Sequence, residues 1–188
     1  MKRTAIVCAL LLAVLLGAGC STTGSGSGDP DARRAALNAN ADAALSNLFR
    51  QVNGSEILVN SARGVLIFQS VLEAGLVFGA SSGEGVLRKG GQTVSFHRTT
   101  SGSWGLQAGA QSTAVFLLFM NDDALARFEA SEGWSIGADA TVTLVSVGAN
   151  AQVSTETAQQ PVIGFVLSNR GLMAGLTLNG TRITRMNL

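Results

Sequence analysis

The chain has 188 residues, with thirteen basic and twelve acidic side chains, one histidine, two cysteines, no tyrosine and 23 glycines. A formal net charge of +1 is not the strong basic excess of a nucleic-acid-binding domain. Two cysteines and one histidine supply neither a multi-disulfide framework nor a Cys/His metal cluster.

Lys2 and Arg3 precede a short apolar run, Ala5 to Leu16, that ends in GAGC. The run is too short to span a bilayer, so residues 1–19 read as an export signal. Cys20 follows small residues and resembles the acceptor cysteine of a bacterial lipoprotein, with Leu16 one place upstream of the usual pattern. An ordinary secretory signal cleaved nearby is the alternative. On the lipoprotein reading Cys8 leaves with the signal and Cys20 carries acyl chains such as palmitate, each buried CH₂ adding about 0.8 kcal/mol of membrane affinity. Residues 20–30 are then the acylated cysteine and a flexible Ser/Gly linker, STTGSGSGDP. Ser21 resembles the sorting residue of outer-membrane lipoproteins, which places the protein in the bacterial cell envelope, lipid-anchored and facing the periplasm. Residues 31–188 are the size of a single domain. Without Lys2 and Arg3, eleven basic residues face twelve acidic ones, a net charge near −1.

Residues 31–52, rich in Ala and Leu and free of internal Gly or Pro, predict a helix with Leu37, Ala41, Ala44, Leu45, Leu48 and Val52 on one stripe. Gly54 ends it, and Ser55 is placed to cap a second short helix, SEILVNSA. Beyond Gly64, short apolar runs alternate with turn signals: VLIF (65–68), AGLVFGAS (74–81), EGVLRK (84–89), QTVSFHR (92–98), SWGLQAGAQ (103–111) and TAVFLLFM (113–120). That spacing predicts antiparallel strands and hairpins. NDDALARFEASEG (121–133), with a capping Asn, acidic first turn and terminal Gly, predicts an interrupting helix. Residues 135–154, 161–168, 171–178 and 181–186 read as further strands. The expected architecture is α+β and mostly β: an antiparallel, barrel- or sandwich-like sheet of about 8–10 strands, with N-terminal helices and one interrupting helix. Gly75–Gly79, Gly105–Gly109 and Gly171–Gly175 share GLxxG, which reads as one strand design reused, with small residues on one face.

Chemical motifs are sparse. Gly83-Glu84-Gly85-Val86 lacks the Gly-Lys-Ser/Thr of a phosphate loop, and Glu84 would repel phosphate, so backbone packing is the favoured reading. His97 has neither a second histidine nor a cysteine with which to share a metal, and no G-x-S-x-G marks a nucleophile elbow. No catalytic residue, metal or cofactor is expected. Phe68, Phe78, Phe116 and Phe119 read as core. The basic residues Arg33, Arg34 and Arg50 of the first helix, with Arg88 and Lys89 at a hairpin, are the candidate contacts for anionic lipid; Arg182 and Arg185 stand near the end.

The strings ARGVLIFQSVLEAGLVFGASSGEGVLRKGG (62–91), WGLQAGAQ (104–111), FLLFMNDDALARF (116–128) and SNRGLMAGLTLNG (168–180) resemble, in order, those of the SYLF-domain family over roughly residues 46–188. Val94-Ser95-Phe96-His97 stands where that family often has WS-P, and its common tyrosines are missing. The resemblance implies a non-enzymatic, lipid-interacting module. Eukaryotic members bind phosphoinositides and other anionic lipids, in part through an N-terminal amphipathic helix, and some fungal members bind actin, a partner not expected here. The expected function is thus an envelope lipoprotein whose SYLF-like domain binds lipid head groups, anionic and phosphoinositide-like, or membrane surfaces. The alternative is a structural or protein-binding envelope component that meets lipid only through its anchor.

Overall fold

A computed structural model describes residues 29–75, 78–104, 109–145, 159–168, 171–173 and 178–188, with side chains at 74–79 and 103–111 outside the description. Residues 1–28, with the expected export signal and Cys20, also lie outside it. Helix α1 (Pro30–Gln51) carries Asp31 in its first turn. Proline is favoured at the start because the missing N–H would find no intrahelical partner there. Leu37, Ala41, Leu48 and Val52 of the predicted stripe are buried, with Ala44 and Leu45 packed against them. Helix α2 (Ser55–Ser61) corrects one expectation: Gly54 is its N-cap, at φ 82°, and Ser55 is the first helical residue. Ser55 is fully buried, and its hydroxyl donates to the carbonyl of Val52 at 2.7 Å, stitching α2 to the end of α1.

The runs 65–68, 74–81 and 84–89 are not three strands. They form two long ones, β1 (Gly64–Gly75) and β2 (Phe78–Lys89), paired antiparallel. Then come β3 (Gln92–Trp104), β4 (Gly109–Phe119) and α3 (Asp122–Ala130). Asn121 caps α3 as predicted, its side chain accepting from the Ala124 amide; Gly133 does not end that helix but lies in β5 (Gly133–Ser135). The single strand expected at 135–154 is broken by a turn in which Gly137 takes φ 94°, leaving β6 (Thr143–Leu144) beyond it. β7 (Val162–Ser168), β8 (Gly171–Leu172) and β9 (Arg182–Met186) complete a nine-stranded sheet. Its order is β5-β9-β3-β2-β1-β4-β7-β6, with β8 on β7. The β6–β7 pair is parallel, the one departure from the expected antiparallel sheet among the described strands. The architecture is the mostly-β α+β fold that the sequence predicts.

Strands in a flat sheet lie about 4.8 Å apart, so five steps from β5 to β4 would span roughly 24 Å. Yet the rings of Trp134 on β5 and Phe119 on β4 have centroids 5.9 Å apart. The sheet is therefore strongly curled. Phe128 of α3 fills the bend, 4.8 Å from Phe119 and 5.4 Å from Trp134. Leu66, Phe68, Val71, Leu87 and Ile183 pack on this α3 side. On the other face Val65, Ile67, Val86, Phe116 and Phe165 pack against α1 and α2. Asp31–Leu188 forms one compact unit. Of the four phenylalanines read as core, Phe68, Phe116 and Phe119 are fully buried, and the Phe78 side chain lies outside the description.

The curl has a sequence cause. β1 carries one extra residue in both of its pairings, between Phe68 and Ser70 against β2 and between Phe68 and Val71 against β4, a bulge that bends a strand and increases its twist. It switches the alternation, so Val71 joins the α3-side core while Ser70 pairs with Glu84 on the α1 side. Gly83 and Gly85 make room for it. A Cβ on Gly85 would stand 2.6 Å from Phe68 Cδ1 and still closer to the Ile67 carbonyl oxygen; one on Gly83 would stand 2.7 Å from the Ser70 oxygen. The glycine motif thus serves backbone packing, as the sequence suggests. The GLxxG repeats fall partly on the same ladder: Gly75 pairs with both Gly79 and Gly109, and Ala74 with both Ala80 and Ala110. Gly105 and Gly175 lie outside the described residues. Gly85→Ala is expected to cost about 3 kcal/mol in chemical denaturation, the upper range for overpacking. Gly102→Ala, whose Cβ would meet nothing within 4 Å, should stay within about 0.5 kcal/mol of the parent.

Candidate functional site

Helix α1 covers only part of its sheet face. Beyond it lie Leu72, 54% exposed, and the exposed Ser82, Thr100 and Ser112. The β1–β2 and β2–β3 registers place Leu72 opposite Ser82 and Ser82 opposite Thr100, and Leu72 also faces Ser112. Ser70 and Ser112 join hydroxyls at 2.7 Å. This is an open, small-residue, hydroxyl-rich surface.

Its boundary with α1 is a charged rim. Arg33, one turn into α1, donates to Glu84 Oε1 at 2.5 Å, and Arg98 of β3 donates to the same oxygen at 2.7 Å. Burial pushes the Glu84 carboxyl upward, but hydrogen bonds and positive charge from Arg98 and Arg33 outweigh that and hold it below its ordinary value. Arg182 lies diagonally across the β3–β9 ladder from Arg98 on this same face, its guanidinium packed over Gly133. Arg34 pairs with Asp31 at 2.9 Å and also donates to the Leu188 carbonyl.

The five predicted lipid contacts are therefore not one patch. Arg33 and Arg34 sit at the rim. Arg50 is seventeen residues further along α1, roughly 25 Å away by helical rise, with Asn47 Oδ1 at 3.4 Å. Arg88 is a structural tie: its side chain is 12% exposed, bonded to Asp42 at 2.5 Å and to the Asn38 carbonyl at 3.1 Å. Lys89 bridges to Glu129 of α3, 3.0 Å away. Cys20 lies outside the described residues. The rim residues that the sequence reading missed are Arg98 and the carboxylate that it shares. A two-residue turn at Gly90-Gly91 would set Glu84 opposite His97. An extra residue, Val94, shifts the β2–β3 register by one, so Glu84 meets Arg98 instead.

The same shift sends His97 to the opposite, buried face, 5.0 Å centroid to centroid from Phe128 and with Nε2 2.8 Å from the Ser95 hydroxyl. Burial, then the charge of Arg185 opposite it, pushes its pKa down to about 4, with Glu129 pulling weakly the other way. The imidazole is thus neutral at pH 7 and a weak base. Among the described residues no hydrogen bond holds its Nδ1, whereas an activated nucleophile pair uses an orienting third group. No group of three or more metal-ligating side chains forms among the described residues, and no described helix is long and apolar enough to cross a membrane.

Comparison with family models matches residues 100–187 to Ysc84, described as "Las17-binding protein actin regulator". The matched segment includes WGLQAGAQ, FLLFMNDDALARF and SNRGLMAGLTLNG but not the string at 62–91. Comparison with curated proteins finds no match.

A depressed histidine pKa favours the neutral form in the folded state, so the unfolded chain takes up the proton first. Stability from His97 is then full above about pH 6.5 and is lost as the pH falls towards about 4. Denaturation at pH 7 and pH 4.5 should differ by about 2–3 kcal/mol from this group, and His97→Phe should flatten that part of the profile.

Proposed function

We propose, for a chain whose residues 100–187 match the Ysc84 family model, a non-catalytic SYLF-like domain of the bacterial envelope that binds anionic lipid head groups, held near the membrane by acylated Cys20. The observation that carries this reading is the rim where Arg33 and Arg98 converge beside the open hydroxyl-bearing face. Guanidinium forks match the geometry of phosphate oxygens, the neighbouring hydroxyls suit a polar head group, and Leu72 offers an apolar contact among them. The net charge near −1 makes this a local attraction, to be screened by salt. A buried, weakly basic His97 supports the non-catalytic part.

A second reading is a protein-binding envelope component that meets lipid only at Cys20. It draws on the family description, which names a protein partner, and on Ile57 of α2, 72% exposed. Repeated recovery of one protein by cross-linking in intact cells, with no lipid binding by the domain, would favour it.

Co-sedimentation of the full chain carrying Cys20→Ser separates the two, because that chain has no acyl anchor. It should pellet with vesicles containing phosphatidylglycerol and stay in solution with neutral phosphatidylcholine. A basic residue near an anionic surface contributes roughly 1 kcal/mol, so Arg33→Glu with Arg98→Glu should weaken binding tenfold or more, and Arg50→Glu much less. Equal binding to neutral and anionic vesicles, or none to either, would sink the head-group reading.

A further inference from the structure

At the rim, both guanidiniums spend a donor on a single oxygen. Arg33 Nη2 and Arg98 Nη2 meet on Glu84 Oε1, and among the described residues these are the only side-chain hydrogen bonds that Arg33 and Arg98 make. Each fork thus keeps N–H donors for solvent. Two cations therefore converge on one carboxylate, while Arg182, on the same face, turns its guanidinium away over Gly133. Both arginines are close to half exposed and Glu84 is 28% exposed, so these pairs belong to the solvent-accessible class that contributes about 0–1 kcal/mol each. A ligand with more oxygens in a tetrahedral array could give each fork its own acceptors and engage donors that Glu84 leaves to water.

We propose that Glu84 is an internal occupant of an anion site built by Arg33 and Arg98, whose external ligand is a phosphate group that displaces the carboxylate. This rests on the head-group reading of the same rim and adds a regulation to it: the site is self-competed. The glycines on either side of Glu84 hold its backbone against β1, while the side chain itself projects onto the α1 face with Arg98, its cross-strand partner. Displacement therefore needs a side-chain rotation, not a change of fold. The phosphate could be a lipid head group or a free ion; the two share the chemistry.

The test is Glu84→Gln in the full chain carrying Cys20→Ser, with Glu56→Gln on α2 as the control for an equal change in net charge. Removing two exposed charge pairs should tighten binding to phosphatidylglycerol vesicles roughly tenfold, while the Glu56→Gln control moves little. Adding Arg98→Glu to Glu84→Gln should abolish the gain. Thermal melting should show both glutamine variants folded near the parent; should Glu84→Gln melt early, Glu84→Ser serves in its place. Titration with inorganic phosphate, followed by the arginine side-chain resonances, distinguishes the sources: a gain there as well assigns any phosphate, a gain with vesicles alone assigns the lipid-borne group. A folded Glu84 variant no tighter than its parent, or a gain matched by Glu56→Gln, overturns the proposal. If the parent binds anionic vesicles in that case, the head-group reading survives. Binding by the variant alone would uphold the self-competed site and show the parent to be closed.

Discussion

The extra residue in β1, seated against Gly83 and Gly85, is the constraint from which most of the described structure follows. A central strand with one residue too many must bend and twist, and the neighbouring strand can follow only where it carries no Cβ. The bend helps bring Trp134 from one edge of the sheet against Phe119, five strands further in. That contact, closed by Phe128, makes a core on the inside of the curl. The bulge also reverses which side chains face which layer, taking Ser70 and Leu72 to the α1 side and Val71 to the other. Glu84 lies between the two glycines that admit the bulge, so the framework and the rim carboxylate share one short motif.

Helix α1 is held by two kinds of force. Its apolar stripe, Leu37, Ala41, Leu48 and Val52, is buried on the sheet, and four buried side chains, two of them leucines, dominate over exposed ion pairs. The polar ties set its register. Arg88 reaches Asp42 and the Asn38 carbonyl, and Thr93 donates to the Asn38 side chain at 2.5 Å. Arg88 is the shielded member of that set, and the Arg33–Glu84 pair is the open one. This difference in exposure is why Arg88 reads as structural and Arg33 as available, although sequence puts both in the same class of isolated surface arginine.

Much of the fold was legible because local signals and burial agreed. The α1 stripe, the Asn121 cap and the apolar strands 113–120 and 161–168 each combine a periodic or continuous apolar pattern with a clear boundary. Two misreadings, at SSGEG and at Gly133, took glycine as punctuation where it lies inside a strand, and at Gly137 the reverse holds, a positive-φ turn read as strand. SSGEG looks like a turn and is the middle of a twelve-residue strand. The Ser55 error has another cause, since a serine at a helix start can cap it or donate to the preceding turn, and the buried Ser55 does the latter. The rim was less legible than the fold. Its members come from α1, β2 and β3, and their meeting depends on a register shift at Val94 that no composition signal announces. The family strings predicted a lipid-interacting module, but they could not say which arginines converge.

The most direct measurement follows the arginine side chains themselves. With ¹⁵N-labelled arginine in the chain carrying Cys20→Ser, short-chain phosphatidylglycerol is titrated while the guanidinium resonances are recorded. The account predicts that Arg33 and Arg98 shift first and saturate together, with Arg50 and Arg127 unmoved. Uniform small shifts at every arginine, or saturation confined to arginines away from the rim, would contradict it.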